Sequence, residues 1–133
     1  MHTGSCLCGG VRFEVLCDLP DIQACHCRSC RKAQGTAFVA VLPLAKADLR
    51  FTAGTDLLTA FESSPGKERV FCKVCGSPIL SLAAALPDRV RLRAGVVDGD
   101  LGVKIASHAF TGQAVDWCAV DDDAPHYTGA RPA

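Results

Sequence analysis

Apolar and polar residues alternate with period two in several short stretches of this chain. Residues 11–15 read VRFEV and residues 90–94 read VRLRA. Successive side chains of a strand point to opposite faces, so each stretch predicts a strand with one face buried. Residues 36–42 form a short apolar run instead, which suits a more deeply buried strand. Further strands are predicted at 49–52, 57–62, 68–72, 78–82 and 104–110, between turn signals such as Ala53-Gly54-Thr55-Asp56 and Ser63-Ser64-Pro65-Gly66. Residues 29–34 predict one short helix ended by Gly35, and residues 44–48 one more helical turn; neither is long enough to organise a core. The expectation is a mainly β, compact multi-sheet fold with one or two short helical turns. It occupies a single domain, 1–133, whose tail from about 121 carries Asp121-Asp122-Asp123 and two prolines and reads as loose.

Composition narrows the partners. The chain has 133 residues, with 14 basic and 14 acidic side chains, so no global charge favours nucleic acid or an anionic membrane, and a small partner is expected. Met1-His2-Thr3-Gly4-Ser5-Cys6 lacks the basic start and apolar core of a signal peptide, and the longest apolar run, about 79–86, is short of a bilayer span. The expected location is cytoplasmic. In that reducing compartment, nine cysteines point to metal rather than to disulfides.

Seven of those cysteines fall into three clusters: Cys6-Leu7-Cys8, Cys25-His26-Cys27-Arg28-Ser29-Cys30 and Cys72-Lys73-Val74-Cys75. Thiolates at such gaps suit zinc, and a closed structural site takes four. The first and third clusters are each followed by glycine, as Cys8-Gly9-Gly10 and Cys75-Gly76. Glycine lets the backbone fold back and aim amide N–H groups at sulfur, the mark of a zinc knuckle. Cys6, Cys8, Cys72 and Cys75 therefore read as one structural site that staples the fold. The plain alternative is two coincidental pairs of buried thiols.

The middle cluster differs in kind. Cys25, Cys27 and Cys30 offer three sulfurs within six residues, no glycine follows until Gly35, and Arg28, Arg31 and Lys32 surround them with positive charge. Zinc held by three thiolates keeps a fourth position for an incoming ligand. His26 would close the site as a fourth ligand, although in an extended segment it points away from Cys25 and Cys27. A second structural zinc, or an inert reduced cluster, is the bland reading.

Four segments carry a family resemblance: Gly4-Ser5-Cys6-Leu7-Cys8-Gly9-Gly10-Val11-Arg12-Phe13, Cys25-His26-Cys27-Arg28-Ser29-Cys30-Arg31-Lys32, Phe51-Thr52-Ala53-Gly54 and Phe71-Cys72-Lys73-Val74-Cys75-Gly76-Ser77-Pro78. Together they resemble the glutathione-dependent formaldehyde-activating enzyme family, which includes centromere protein V. The resemblance implies a mostly β fold with two zinc ions per chain. Cys6, Cys8, Cys72 and Cys75 would hold the structural one; Cys25, Cys27 and Cys30 the catalytic one. It implies a carbon–sulfur lyase that joins glutathione, or a related thiol, to formaldehyde or another small aldehyde. Arg28, Arg31 and Lys32 are then candidates to meet the carboxylates of glutathione, against a plain reading as a solvated basic face.

Two other classes stand beside the lyase: a non-catalytic zinc-stapled binding module, and a thiol redox or metal-transfer protein using the middle cluster. His108 reads as a half-buried structural histidine, or as a proton shuttle if it reaches the open site. Trp117, Cys17 and Cys118 suit packing positions, and the aspartate run suits a solvated turn.

Overall fold

A computed structural model describes residues 1–132. Ten strands, one α-helix and four 3-10 turns make a mainly β architecture. The strands are β1 (His2–Ser5), β2 (Arg12–Val15), β3 (Ile22–Cys25), β4 (Val39–Ala45) and β5 (Leu49–Ala53), then β6 (Leu58–Ser64), β7 (Lys67–Cys72), β8 (Pro78–Ala83), β9 (Arg89–Arg93) and β10 (Ile105–Ala109); the helix α1 spans Arg28–Gln34. β1, β2 and β5 form a three-stranded sheet, and the other seven form a second sheet in the order β10-β3-β4-β9-β8-β7-β6. Among the described strands, β10 with β3 is the one parallel pair.

Alternation explains how the sheets meet. Phe13 and Val15 of β2 are buried while Arg12 at its start is exposed, and Val90 and Leu92 of β9 are buried. They pack with Leu42, Leu44, Ile79 and Leu80 into one core between the sheets. Cross-strand register aligns Leu42, Leu92, Leu80 and Val70 in one row of the large sheet, and Pro43, Arg91, Ser81 and Arg69 in the next. Neighbouring rows point to opposite faces, so the leucine row meets the core and the arginine row faces away from it.

That second face is not left to solvent. α1 lies over it, since Arg93 Nε donates to Gln34 Oε1 (3.2 Å) and Arg69 Nη2 stands 3.7 Å from Cys30 Sγ. The single-face burial expected for residues 90–94 is therefore exceeded: Arg93 is buried as well as Val90 and Leu92. Helix α1 begins one residue earlier than expected and ends at Gly35, whose φ of 69° is left-handed. The chain then bends, with Thr36 Oγ1 donating to Phe38 O (2.6 Å), so β4 starts at Val39 rather than at residue 36. Strands β1 and β3 are too short and mixed in composition to show a period of two.

The segment expected to be loose, from residue 121, runs beside β10. His108 N donates to Pro125 O (2.9 Å), Tyr127 N to His108 O (2.8 Å) and Phe110 N to Gly129 O (2.8 Å). Arg131 reaches Ser107 Oγ (2.7 Å) and Ala24 O (2.9 Å). Trp117, expected to pack, is 69 % exposed in an irregular stretch.

Candidate functional site

Two turns that are remote in sequence bring four sulfurs together. After β1 the chain folds back at residues 6–9, where Gly9 N donates to Cys6 O (3.1 Å) and Cys6 N to Val11 O (3.1 Å). After β7 it turns again, with Gly76 N to Cys72 O (2.8 Å) and Cys72 N to Ser77 O (3.0 Å). Gly9 and Gly76 take φ values of 77° and 79°, a region costly for residues with a Cβ. Leu7 N donates to Ser77 Oγ (2.8 Å) and pins the turns to each other. Val11 N donates to Cys6 Sγ (3.3 Å), as the glycine pattern anticipates.

The Sγ atoms of Cys6 and Cys8 lie 3.4 Å apart, those of Cys8 and Cys72 lie 3.9 Å apart, and all four fall within 4.8 Å of one another. Around a tetrahedral ion with metal–sulfur bonds of about 2.3 Å, sulfurs stand roughly 3.8 Å apart. The quartet fits such an ion. Its protons are unevenly held: Cys75 is lowered to about 5 by hydrogen bonds from the Ser77 side chain and from the Cys8 and Ser77 amides. Cys8 has a Gly10 amide favouring its thiolate, yet the hydrogen bond with Cys6 and the other neighbouring thiols leave it raised to about 11.

The second cluster is local. Cys25 ends β3 between Val39 of β4 and Ala109 of β10, Cys27 caps α1 by accepting from Cys30 N (3.3 Å), and Cys30 sits buried inside the first turn. The three sulfurs lie within 4.8 Å of one another, which again suits one ion. Cys30 is lowered to about 4 by its hydrogen bond with Cys25, helped by Cys27 and the Arg69 guanidinium. The same hydrogen bond, together with burial, pushes the Cys25 thiol up. The cluster thus holds a thiolate beside a buried cation. His26 is outside this set: its Nε2 lies 2.8 Å from His108 Nδ1, and its Nδ1 has no partner among the described residues.

His108 is fully buried and continues outward, its Nε2 lying 2.8 Å from Asp122 Oδ2; His126 Nε2 is 3.4 Å from the other carboxylate oxygen. His108, Asp122 and His126 form a third group with the spacing of metal ligands. Burial, then the neighbouring His108, pushes the pKa of His26 down.

The expected cations divide. Arg28 and Lys32 are exposed on α1, and Arg31 is half-buried with its Nε unpartnered among the described residues. The cation on the sulfur is Arg69, and Arg93 stands beside it against Gln34. Sequence reasoning missed both: Arg93 alternates with apolar residues and Arg69 follows Lys67 and Glu68, so each reads as part of a solvated face. The available signal was the short helix predicted just after β3, which needs a surface to cover. Beneath it a cavity of about 260 Å³ is lined by Arg69, Arg93, Gln34, Phe61, Phe71 and Pro78, among others.

Fold and site together define a two-sheet β protein carrying two sets of thiols spaced as metal ligands, one with four sulfurs and one with three. The profile of the family described as glutathione-dependent formaldehyde-activating enzyme matches residues 1–113, and the chain belongs to that family. A Halomonas elongata protein provisionally named as a glutathione-dependent formaldehyde-activating enzyme is 33% identical over an alignment of 105 residues that covers 74% of this chain and 66% of that protein. An uncharacterized lyase of Schizosaccharomyces pombe is 28% identical over 78 residues, 59% of this chain and 55% of that one. The matched part thus spans less than two thirds of either relative. A crystal structure of a Rhodobacter sphaeroides protein superimposes with a TM-score of 0.63 at 26% identity, covering 77% of this chain and 98% of that one. Among the described residues no helix is long and apolar enough to cross a membrane.

Proposed function

We propose that this chain is a zinc-dependent carbon–sulfur lyase acting on the adduct of glutathione, or a related small thiol, with formaldehyde or another small aldehyde. The observation that carries the reading is the three-sulfur cluster of Cys25, Cys27 and Cys30, tied to a buried guanidinium beside a cavity. Cys6, Cys8, Cys72 and Cys75 hold a structural zinc with no position to spare, and Cys25, Cys27 and Cys30 hold the second. Zinc in a three-thiolate site supplies a fourth position, where a bound thiol loses its proton more readily and a developing oxyanion is stabilised.

The chain's own groups do the rest. Arg69 adds to the hydrogen bonds from Cys25 and Cys27 that favour the Cys30 thiolate, and offsets the negative charge that three sulfurs concentrate there. Phe71, Pro78 and Leu80 give the cavity beside Arg69 apolar walls that limit water around a substrate seated there. His26 follows Cys25 in sequence, His108 precedes the Ala109 that pairs with Cys25, and their 2.8 Å contact ties the end of β3 to β10 where Cys25 is held.

Exchange spectroscopy of formaldehyde with glutathione at equilibrium tests this reading. The zinc-loaded chain is expected to speed exchange well above the spontaneous rate, and Cys27→Ser to abolish the gain. Two bound zinc ions with only the spontaneous rate would make the chain a binding module for that thiol.

A further inference from the structure

The face of the large sheet beneath α1 carries positive charge that no acidic group among the described residues answers. Arg69 and Arg93 are 9 % and 4 % exposed, and no ion pair among the described residues includes either. Burying a charge without an opposite one is strongly unfavourable. For Arg69 the thiolate cluster supplies that charge, with Nη1 and Nη2 at 3.9 and 3.7 Å from Cys30 Sγ. Arg93 has neutral partners only. Its Nε donates to Gln34 Oε1 (3.2 Å) and its Nη1 to Ser81 Oγ (3.3 Å) and Arg91 O (3.3 Å), while Nη2 has no protein acceptor among the described residues.

Two cavities meet at this arginine. One, of about 260 Å³, includes Arg69; the other, of about 470 Å³, opens towards Thr36 and Ser77; both are lined by Gln34, Pro78 and Arg93. No aspartate or glutamate lines either one. Together they have the size of a small-molecule site. Arg28 and Lys32, out on the helix surface, line neither.

We propose that this cleft seats a carboxylate of the thiol, with Arg93 as its main cation, so that the chain selects thiols bearing an acid group. The inference rests on the thiol-adduct reading above and names the substrate feature that site would require. A planar guanidinium with a free Nη matches a carboxylate in shape as well as charge. Seating it at the junction of the two cavities leaves the cavity of Arg69 for the sulfur end of the molecule.

Calorimetric titration of the zinc-loaded full chain with S-methylglutathione tests the site, because that probe keeps both carboxylates and has no thiol for the metal. The acid is expected to bind about tenfold or more tighter than its dimethyl ester. Arg93→Gln should bring the two within about threefold of each other, and Arg93→Lys should retain part of the difference, with melting curves and zinc content showing that each variant folds. Should the buried substitutions prevent folding, the acid-to-ester comparison on the unaltered chain still decides. Equal binding of acid and ester, or binding of neither, overturns the proposal. Tighter binding of the acid without any acceleration of adduct exchange would sink the lyase reading and leave the carboxylate site standing; normal turnover with no preference for the acid would do the reverse.

Discussion

The two thiol clusters use one residue type in opposite ways. The first gathers sulfurs from opposite ends of a long loop, Cys8 and Cys72 being 64 positions apart, and surrounds them with backbone amides and left-handed glycines. The second takes three sulfurs from six consecutive residues, capped by a helix turn and an arginine. A link that closes a long loop removes much of the freedom of the unfolded chain, whereas a local link removes little. What each cluster does thus follows from the sequence separation of its ligands as much as from their number.

The sharpest way to break this comparison is to remove one sulfur from each cluster. Cys72→Ser strikes a fully buried residue in a site of the kind that contributes about 10–16 kcal/mol to small zinc domains, more than the usual net stability of a domain. The variant should be insoluble, or show no cooperative melt by circular dichroism. Cys27→Ser should instead melt within a few degrees of the parent, bind one zinc fewer by elemental analysis, and lose about a hundredfold or more in exchange rate. Matching losses of stability in the two variants would end the proposed division of labour.

Chelation sets the clusters against each other in one sample. With a zinc-sensitive dye reporting release, the three-sulfur site should empty first and without loss of ellipticity, and the four-sulfur site only as the fold is lost. Simultaneous release would show that neither site is open. A milder perturbation is Gly76→Ala, which puts a Cβ on a residue at φ 79° with no atom in its way. It should cost roughly 1–2 kcal/mol, read by denaturant melts, and weaken zinc retention at the first cluster only.

The smallest effect concerns the tail. The hydrogen bond with His108 holds the Asp122 carboxyl below its ordinary range. A lowered carboxyl pKa stabilises the fold fully above the ordinary value and progressively less as pH falls through the lowered one. The protection factor of the Tyr127 amide should fall below about pH 4, and several-fold at neutral pH in Asp122→Asn, while protection near Val11 stays unchanged.

Much of this was legible beforehand for a definite reason. Clusters of cysteine with trailing glycine encode local geometry, so the four-sulfur set could be read from Cys8-Gly9-Gly10 and Cys75-Gly76, and the strands at 11–15 and 90–94 from alternation. The cations under α1 could not, since Arg69 and Arg93 lie 39 and 63 positions from Cys30 along the chain and come beneath the helix through the pairing of β7, β8, β9 and β4. The tail was equally opaque: its composition suggests solvent, while its order comes from backbone bonds to β10 that any sequence without a misplaced proline could make.

Strand β7 belongs to both clusters. Cys72 ends it, and Arg69 lies three positions earlier on the same strand. An ion in the four-sulfur site would fix the end of that strand and so the place where the guanidinium stands over Cys30. Linkage makes such coupling reciprocal, so an ion held by Cys25, Cys27 and Cys30 would in turn favour the set that contains Cys72.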